Sequence, residues 1–167
     1  MSPATIRPAR QDDLPAINDI YNHFVHICTC TYQEQSETME SRQNWFARHG
    51  ERHPVIVAEQ DGRVVGWGSL SPLHGRSAYR YTVEDSVYVH HGAQGRGIGS
   101  MLLQELIDRA RTIGHHVMIA SIDSAQRGSL ALHARFGFQE VGHLHEVGFK
   151  FQKWLDVIYM ELLLQPG

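Results

Sequence analysis

The stretch from Val83 to Leu103, V-E-D-S-V-Y-V-H-H-G-A-Q-G-R-G-I-G-S-M-L-L, constrains the fold more than any other part of the chain. It predicts a strand carrying a carboxylate at Glu84, then a glycine-rich loop, then an amphipathic helix beginning near Ile98. Glycines at 95, 97 and 99 let the backbone turn tightly and approach a ligand closely. The helix directs its unpaired N–H groups and positive dipole end back into that loop. Such a loop suits a phosphate. A dinucleotide fingerprint, G-x-G-x-x-G, is excluded because the sixth position is Ser100 counted from Gly95 and Leu102 counted from Gly97. A nucleoside-triphosphate loop is excluded too, since no Lys-Ser or Lys-Thr pair follows the last glycine. What remains is Gln94-x-x-Gly97-x-Gly99, set between an apolar strand and a helix.

At 167 residues the chain is expected to form one domain, 1–167, with a real core. A net charge of -3 gives no overall basic bias towards nucleic acid or anionic membrane. No segment approaches the ~18 apolar residues of a membrane span, and Met1 to Arg7 has no apolar signal core, so a cytoplasmic location is expected. Cys28 and Cys30 suit neither a disulfide framework nor a C-x-x-C pair, and are expected to be reduced. The twelve histidines include the neighbours His90-His91 and His115-His116 and the alternate pair His143 and His145. None falls in a zinc spacing, and no metal is expected.

Taken in order, Thr5 to Ala9 reads as a strand, and Asp12 and Asp13 can cap a helix with Pro15 in its first turn. Leu14, Ile17, Ile20, Tyr21 and Phe24 then recur at helical spacing. A second helix is expected from about Met39 to His49, with Trp45 and Phe46 buried and Gly50 ending it. Val55–Glu59 and Val64–Leu70 form a hairpin through Asp61-Gly62, and Tyr79–Val89 continues the meander. The glycine-loop helix buries Leu102, Leu103, Leu106, Ile107 and Ala110 and stops at Gly114. His116–Ile122 follows a helix and should therefore run parallel to the Tyr79–Val89 strand. A helix of about Gly128 to Phe136 precedes strands near Gln139–Leu144 and Val157–Leu164, separated by the segment Phe149 to Trp154.

With these elements in place, the whole chain resembles the GNAT acetyltransferases, and within them the phosphinothricin and methionine sulfone N-acetyltransferase group. The resemblance rests on T-V-E-D-S-V-Y-V at 82–89, on Gln94 to Gly99, on Ser129-Leu130-Ala131-Leu132-His133, and on G-F-K-F-Q-K-W-L-D-V at 148–157. It implies an α/β GNAT fold, with a mixed central sheet of about six to seven strands flanked by helices. It implies acetyl-CoA as co-substrate and a small amino-acid-like amine as acceptor. Val87, Tyr88 and Val89 would bind the pantetheine arm like an added strand, through the N–H groups of Val87 and Val89. Gln94, Gly95, Arg96, Gly97, Ile98, Gly99 and Ser100 would hold the pyrophosphate. Gln126 stands where many relatives have Asn, a pantetheine contact, just ahead of Ser129. The resemblance also implies a homodimer.

Acetyl transfer to an amine needs a bound acyl carrier, a neutral amine, and a place for charge as the carbonyl becomes tetrahedral. Glu84, desolvated in an apolar strand, is the expected general base. By resemblance His133 is catalytic or substrate-orienting, and Arg76 or Arg80 grips an acidic group of the substrate. Tyr32 is a candidate substrate contact in the Thr31–Glu34 loop, which reads either as a cover over the acceptor or as a solvated connector, while Lys150 and Trp154 are candidates for the far wall or the dimer contact. Two other readings compete: acetylation of a protein or peptide amine, and a non-catalytic acyl-CoA-binding sensor.

Overall fold

The computed structural model describes residues 1–165; Pro166 and Gly167, the end of the expected domain, lie outside the described residues. In chain order the elements are β1 (Thr5–Pro8), α1 (Leu14–Val25), α2 (Met39–Ala47), β2 (Val55–Gln60), β3 (Arg63–Pro72), β4 (Thr82–Val89), α3 (Ile98–Ile113), β5 (Val117–Asp123), α4 (Arg127–Arg135), β6 (Gln139–Lys150) and β7 (Lys153–Leu163). The strands form one seven-stranded sheet in the order β1-β2-β3-β4-β5-β7-β6. Among the described residues only the β4–β5 pair is parallel, joined by the α3 crossover, as expected from a helix lying between two strands.

Local chemistry accounts for most of the boundaries. Asp61 and Gly62 both take positive φ, 50° and 74°, which matches the twist of a two-residue hairpin between β2 and β3. Gly114 closes α3 in the left-handed conformation at φ 91°. Asp13, expected as a helix cap, instead accepts from the Arg10 N–H at 2.7 Å and from Arg7 at 2.8 Å, because the chain first makes a 3-10 turn over Gln11–Asp13. Thr38 caps α2 by accepting from the Ser41 N–H at 3.1 Å. That helix ends at Ala47 rather than near His49, since the His49 ring nitrogen Nδ1 occupies the Trp45 carbonyl at 2.7 Å. Trp45 and Phe46 are half-buried; the buried residue of α2 is Arg42, whose guanidinium lies 4.8 Å from the Tyr21 ring and 4.7 Å from the Trp45 ring.

Two apolar clusters cover the sheet. The first joins α3 to Ile56, Leu70, Val83 and Met118, with Val87 and Val89 against it; the second joins α1 to Val55, Val57 and Trp67, with Tyr88 against it. Strand alternation therefore sends Val83, Val87 and Val89 to one side of β4 and Tyr88 to the other.

Two expectations are corrected. The C-terminal strands are longer than their patterns suggested, and the segment expected to separate them is itself paired, joined by Phe151-Gln152 with φ 52° and 59°. Cys28 and Cys30 are paired as a disulfide, because the loop folds back far enough to bring their Cα atoms to 5.4 Å, within disulfide reach.

Candidate active site

β4 and β5 pair only from Thr82 to Glu84 and from Val117 to Ile119, and then part. The parting opens a cavity of about 430 Å³, closed by the loop Cys28–Tyr32 on one side and by α4 on the other. The β4 backbone is half-used there. His90 donates to the Val65 carbonyl at 2.9 Å, which fixes the alternate residues Tyr88, Ser86 and Glu84 as the ones bonded to β3. The N–H and C=O groups of Val87 and Val89 then face the parted side, where β5 no longer pairs with β4.

Glu84 lines the cavity, half-buried, on the Tyr88 side of β4. Burial pushes its carboxyl up, the neighbouring Asp85 charge adds to this, and the Ser121 hydroxyl and His74 oppose it. Asp85 lies on the other side, buried, and meets His133 Nε2 at 3.0 Å. Its second oxygen, Oδ1, has no hydrogen-bond partner. His133 Nδ1 is 2.8 Å from the Ser129 carbonyl, so both ring nitrogens are engaged. Burial works against the imidazolium, but the charge of Asp85 and its hydrogen bond outweigh that and hold His133 above its ordinary value.

The far wall is tied together across great sequence distance. Tyr32 donates through its hydroxyl to Asp123 at 2.6 Å and to the Asp156 carbonyl at 3.2 Å. Thr29 donates to the same Asp123 at 2.9 Å, and Gln126 donates to Thr29 at 3.1 Å. Gly148 makes room for the Tyr32 ring, since a Cβ there would sit 2.5 Å from it. Lys150 is buried and donates to the carbonyls of Cys28 at 2.9 Å and Thr31 at 2.8 Å, so it pins the loop instead of reaching the cavity. Tyr88 stacks on Trp67 at 5.0 Å and donates to the Cys30 carbonyl at 3.3 Å.

The glycine loop continues from Gln94 at the cavity wall. Gly97 caps α3 at φ 80°, a conformation that costs a side chain about 1–2 kcal/mol. A Cβ at Gly95 or Gly97 would meet nothing within 4 Å, so both face open space at the head of α3. Ile98 is buried in the core, and Gly99 lies 3.5 Å from Leu132 at the Cβ position. Arg96 is exposed, with its guanidinium on the Met1 sulfur at 3.0 Å, and Ser100 accepts from Arg135 at 2.6 Å.

The cavity thus gathers Tyr32, Glu84, Val87, Tyr88, Val89, Gln94, Gln126, Ser129 and His133 from the residues singled out in the sequence. It does not gather Arg76 and Arg80, which are exposed around the turn Ser77–Tyr79, where Arg80 donates back to the Ser77 carbonyl at 3.2 Å and lies over Tyr81. No arginine or lysine lines it among the described residues. Trp154 lies outside it as well, 64% exposed and beside Phe149. Three groups at the site escaped the sequence reading: Asp85, Asp123 and Thr29. An acid next to Glu84 in an apolar strand was the available signal for Asp85, and an Asp-x-Ala turn at the end of a strand, with the Ala125 N–H on Asp123 at 3.0 Å, was the one for Asp123.

An unpaired strand edge beside a cavity, continuous with a glycine turn at a helix N-terminus, is a site for a long ligand ending in phosphates. The model of the acetyltransferase (GNAT) family matches residues 17–138, and the chain belongs to that family. Within it, the chain is 42% identical over 161 residues to the L-methionine sulfoximine/L-methionine sulfone acetyltransferase of Salmonella typhimurium, covering 96% of this chain and 94% of that one. It is 41% identical over 165 residues to the phosphinothricin N-acetyltransferase of Alcaligenes faecalis, covering 98% and 84%. The structure of a Salmonella typhimurium acetyltransferase with its cofactor acetyl-CoA superposes with a TM-score of 0.95 at 40% identity, covering 99% of this chain and 96% of that one. The protein is accordingly an acetyl-CoA-dependent N-acetyltransferase of the methionine sulfoximine and phosphinothricin group. No helix among the described residues is long and apolar enough to cross a membrane.

Proposed function

We propose that the chain, acting as one domain in the cytoplasm and as a homodimer, acetylates the α-amine of a small amino-acid-like compound of the phosphinothricin or methionine sulfone type. The observation that carries this reading is Glu84, facing a cavity beside the free N–H groups of Val87 and Val89. The exposed apolar residues of the β6–β7 hairpin, Val147, Phe149 and Trp154 among them, support the dimer.

The residues fit acetyl-CoA. Gln94 to Ser100 would hold its pyrophosphate at the N–H groups heading α3, and Val87, Tyr88 and Val89, with Gln126 and Ser129 opposite, would take the pantetheine arm. Bound there, acetyl-CoA supplies an activated acetyl group. Glu84 and Asp123 line the cavity and attract the substrate's ammonium. Glu84 removes its proton, directly or through one water, leaving a nucleophilic amine. The N–H of Val87 or Val89 would stabilise the oxyanion that develops as the amine forms its bond to the thioester carbonyl, and as the C–S bond breaks the departing thiolate would take up, through water, the proton that Glu84 removed. We assign His133 a positioning role instead of proton donation: with Nδ1 on Ser129 and Nε2 on Asp85, it orders the wall beside the parted strands.

A second reading, acetylation of a peptide amine, draws support from the lining, which among the described residues holds no lysine or arginine to grip a substrate carboxylate. Free thiol release is measured with phosphinothricin, methionine sulfone, ordinary amino acids, polyamines and short peptides, for wild type beside Glu84→Gln. Turnover on small acid-bearing amines, lowered about 10²–10⁴-fold in kcat by the substitution with acetyl-CoA binding retained, is expected. Turnover confined to peptides selects the second reading; turnover unaffected by Glu84→Gln removes Glu84 as the base.

A further inference from the structure

Outside the cavity, the β6–β7 hairpin brings together two imidazoles and a carboxylate. His143 and His145 stand two apart on β6, so the strand period gives both rings the same side, and they stack 4.2 Å apart at 5°. Asp156 comes from β7. The pairing runs from Leu144 opposite Val157 directly to Gly148 opposite Leu155, so the extra residues of β6 bulge out and leave Asp156 facing them. One ligand-type atom from each of the three lies within 4.8 Å of the others.

We propose that His143, His145 and Asp156 form an accessory site for a first-row divalent metal of the zinc class, which braces the bulged hairpin and takes no part in acetyl transfer. Two neutral imidazoles and one carboxylate are borderline nitrogen and oxygen donors, the set that favours Zn²⁺, Ni²⁺ or Cu²⁺ over Mg²⁺ or Ca²⁺. Tetrahedral Zn²⁺ with ligands at about 2.0–2.1 Å places its donor atoms about 3.4 Å apart. His143 Nε2 and Asp156 Oδ2 are already 2.9 Å apart, and side-chain rotation brings His145 in. The rings are exposed, so solvent can complete the coordination.

The surroundings orient the donors. Asp156 Oδ1 accepts from the Glu146 N–H at 2.9 Å, which fixes the carboxylate plane and leaves Oδ2 for a metal. Glu146 achieves this at φ 54°, a left-handed conformation uncommon outside glycine and often found where a chain clamps a ligand. The sequence concealed the site because its third donor lies thirteen and eleven positions beyond the two histidines and across a turn. His-x-His alone matches no zinc spacing.

The Asp156 backbone also accepts from Ser124 at 2.9 Å and from Tyr32 at 3.2 Å, so bracing the hairpin braces the far wall of the cavity. Titration calorimetry of the full chain with Zn²⁺ is the direct test, run beside the double substitution His143→Gln/His145→Gln and beside His23→Gln/His91→Gln, which removes the stacked pair near the glycine loop. Expected are one ion per chain for wild type and for the His23/His91 control, an affinity at least about tenfold weaker for the His143/His145 variant, and a tetrahedral Co²⁺ absorption spectrum lost in that variant alone. Circular dichroism confirms that the variant is folded. Asp156→Asn gives a second route to the same loss. Absence of Zn²⁺ binding by wild type, or equal binding by the His143/His145 variant, overturns the proposal.

Discussion

Glu84 and Asp85 are neighbours on β4 that face opposite sides of the sheet, and the two sides treat a carboxylate differently. Asp85 is buried and answered by a histidine of α4. Glu84 opens on the cavity, and among the described residues no salt bridge holds it, so burial outweighs the opposing Ser121 hydroxyl and His74. One side holds its charge by pairing it; the other keeps a carboxylate raised towards the range where it can take and release protons. The two faces of a single strand thus divide structure from chemistry.

The sharpest way to break that division is to exchange readouts. His133→Ala should destabilise the fold by about 3–5 kcal/mol, because it strands Asp85 with neither oxygen paired. Glu84→Gln should change stability by within about 1 kcal/mol while lowering kcat about 10²–10⁴-fold. Urea unfolding of both variants checks this, and an unfolding curve for His133→Ala that overlays wild type would erase the contrast.

The next effect is one of pH. The folded-state value of His133 is raised, so its pairing with Asp85 contributes fully below the ordinary imidazole value of 6.5 and fades as pH rises through the raised folded value. A double-mutant cycle with His133→Gln and Asp85→Asn, followed from about pH 6 to about pH 9, should show a coupling energy that declines with pH. A coupling that grows with pH contradicts an imidazolium in the pair.

Smaller still is Gly148→Ala. Its Cβ meets the Tyr32 ring at 2.5 Å, and the displaced ring gives up its hydrogen bond to Asp123. A cost of about 1–3 kcal/mol and a raised KM for the amine, with the acetyl-CoA KM little changed, are expected from steady-state kinetics. Smallest are Arg76→Ala and Arg80→Ala. With both side chains outside the cavity, each should shift the amine KM by about twofold or less. A tenfold rise would place an arginine on the substrate and make the acid-bearing acceptor more specific.

How much the sequence disclosed follows the range of each interaction. The Asp61-Gly62 turn, the helix headed by Gly97 and the parallel β5 are written in neighbouring residues, and they were legible. The β6–β7 hairpin was cut short in the reading because its turn is Phe151-Gln152, two residues that rarely take positive φ, in place of an Asn-Gly or Asp-Gly pair. The same holds within the site. Glu84, Val87 and Val89 share one strand and could be read together, whereas the pairings of His133 with Asp85 and of Tyr32 with Asp123 join residues 48 and 91 positions apart. Nothing in the local pattern announces either.

The Lys150 clamp has a consequence in time. Its bonds to the Cys28 and Thr31 carbonyls close loops of 122 and 119 residues, and such distant contacts form only after the intervening chain has been ordered. On the ribosome, the N-terminal loop emerges long before the lysine that fastens it. The catalytic chamber is therefore walled from its last segment backwards, and a nascent chain can assemble its acyl-carrier strand and helix well before it has a room in which to use them.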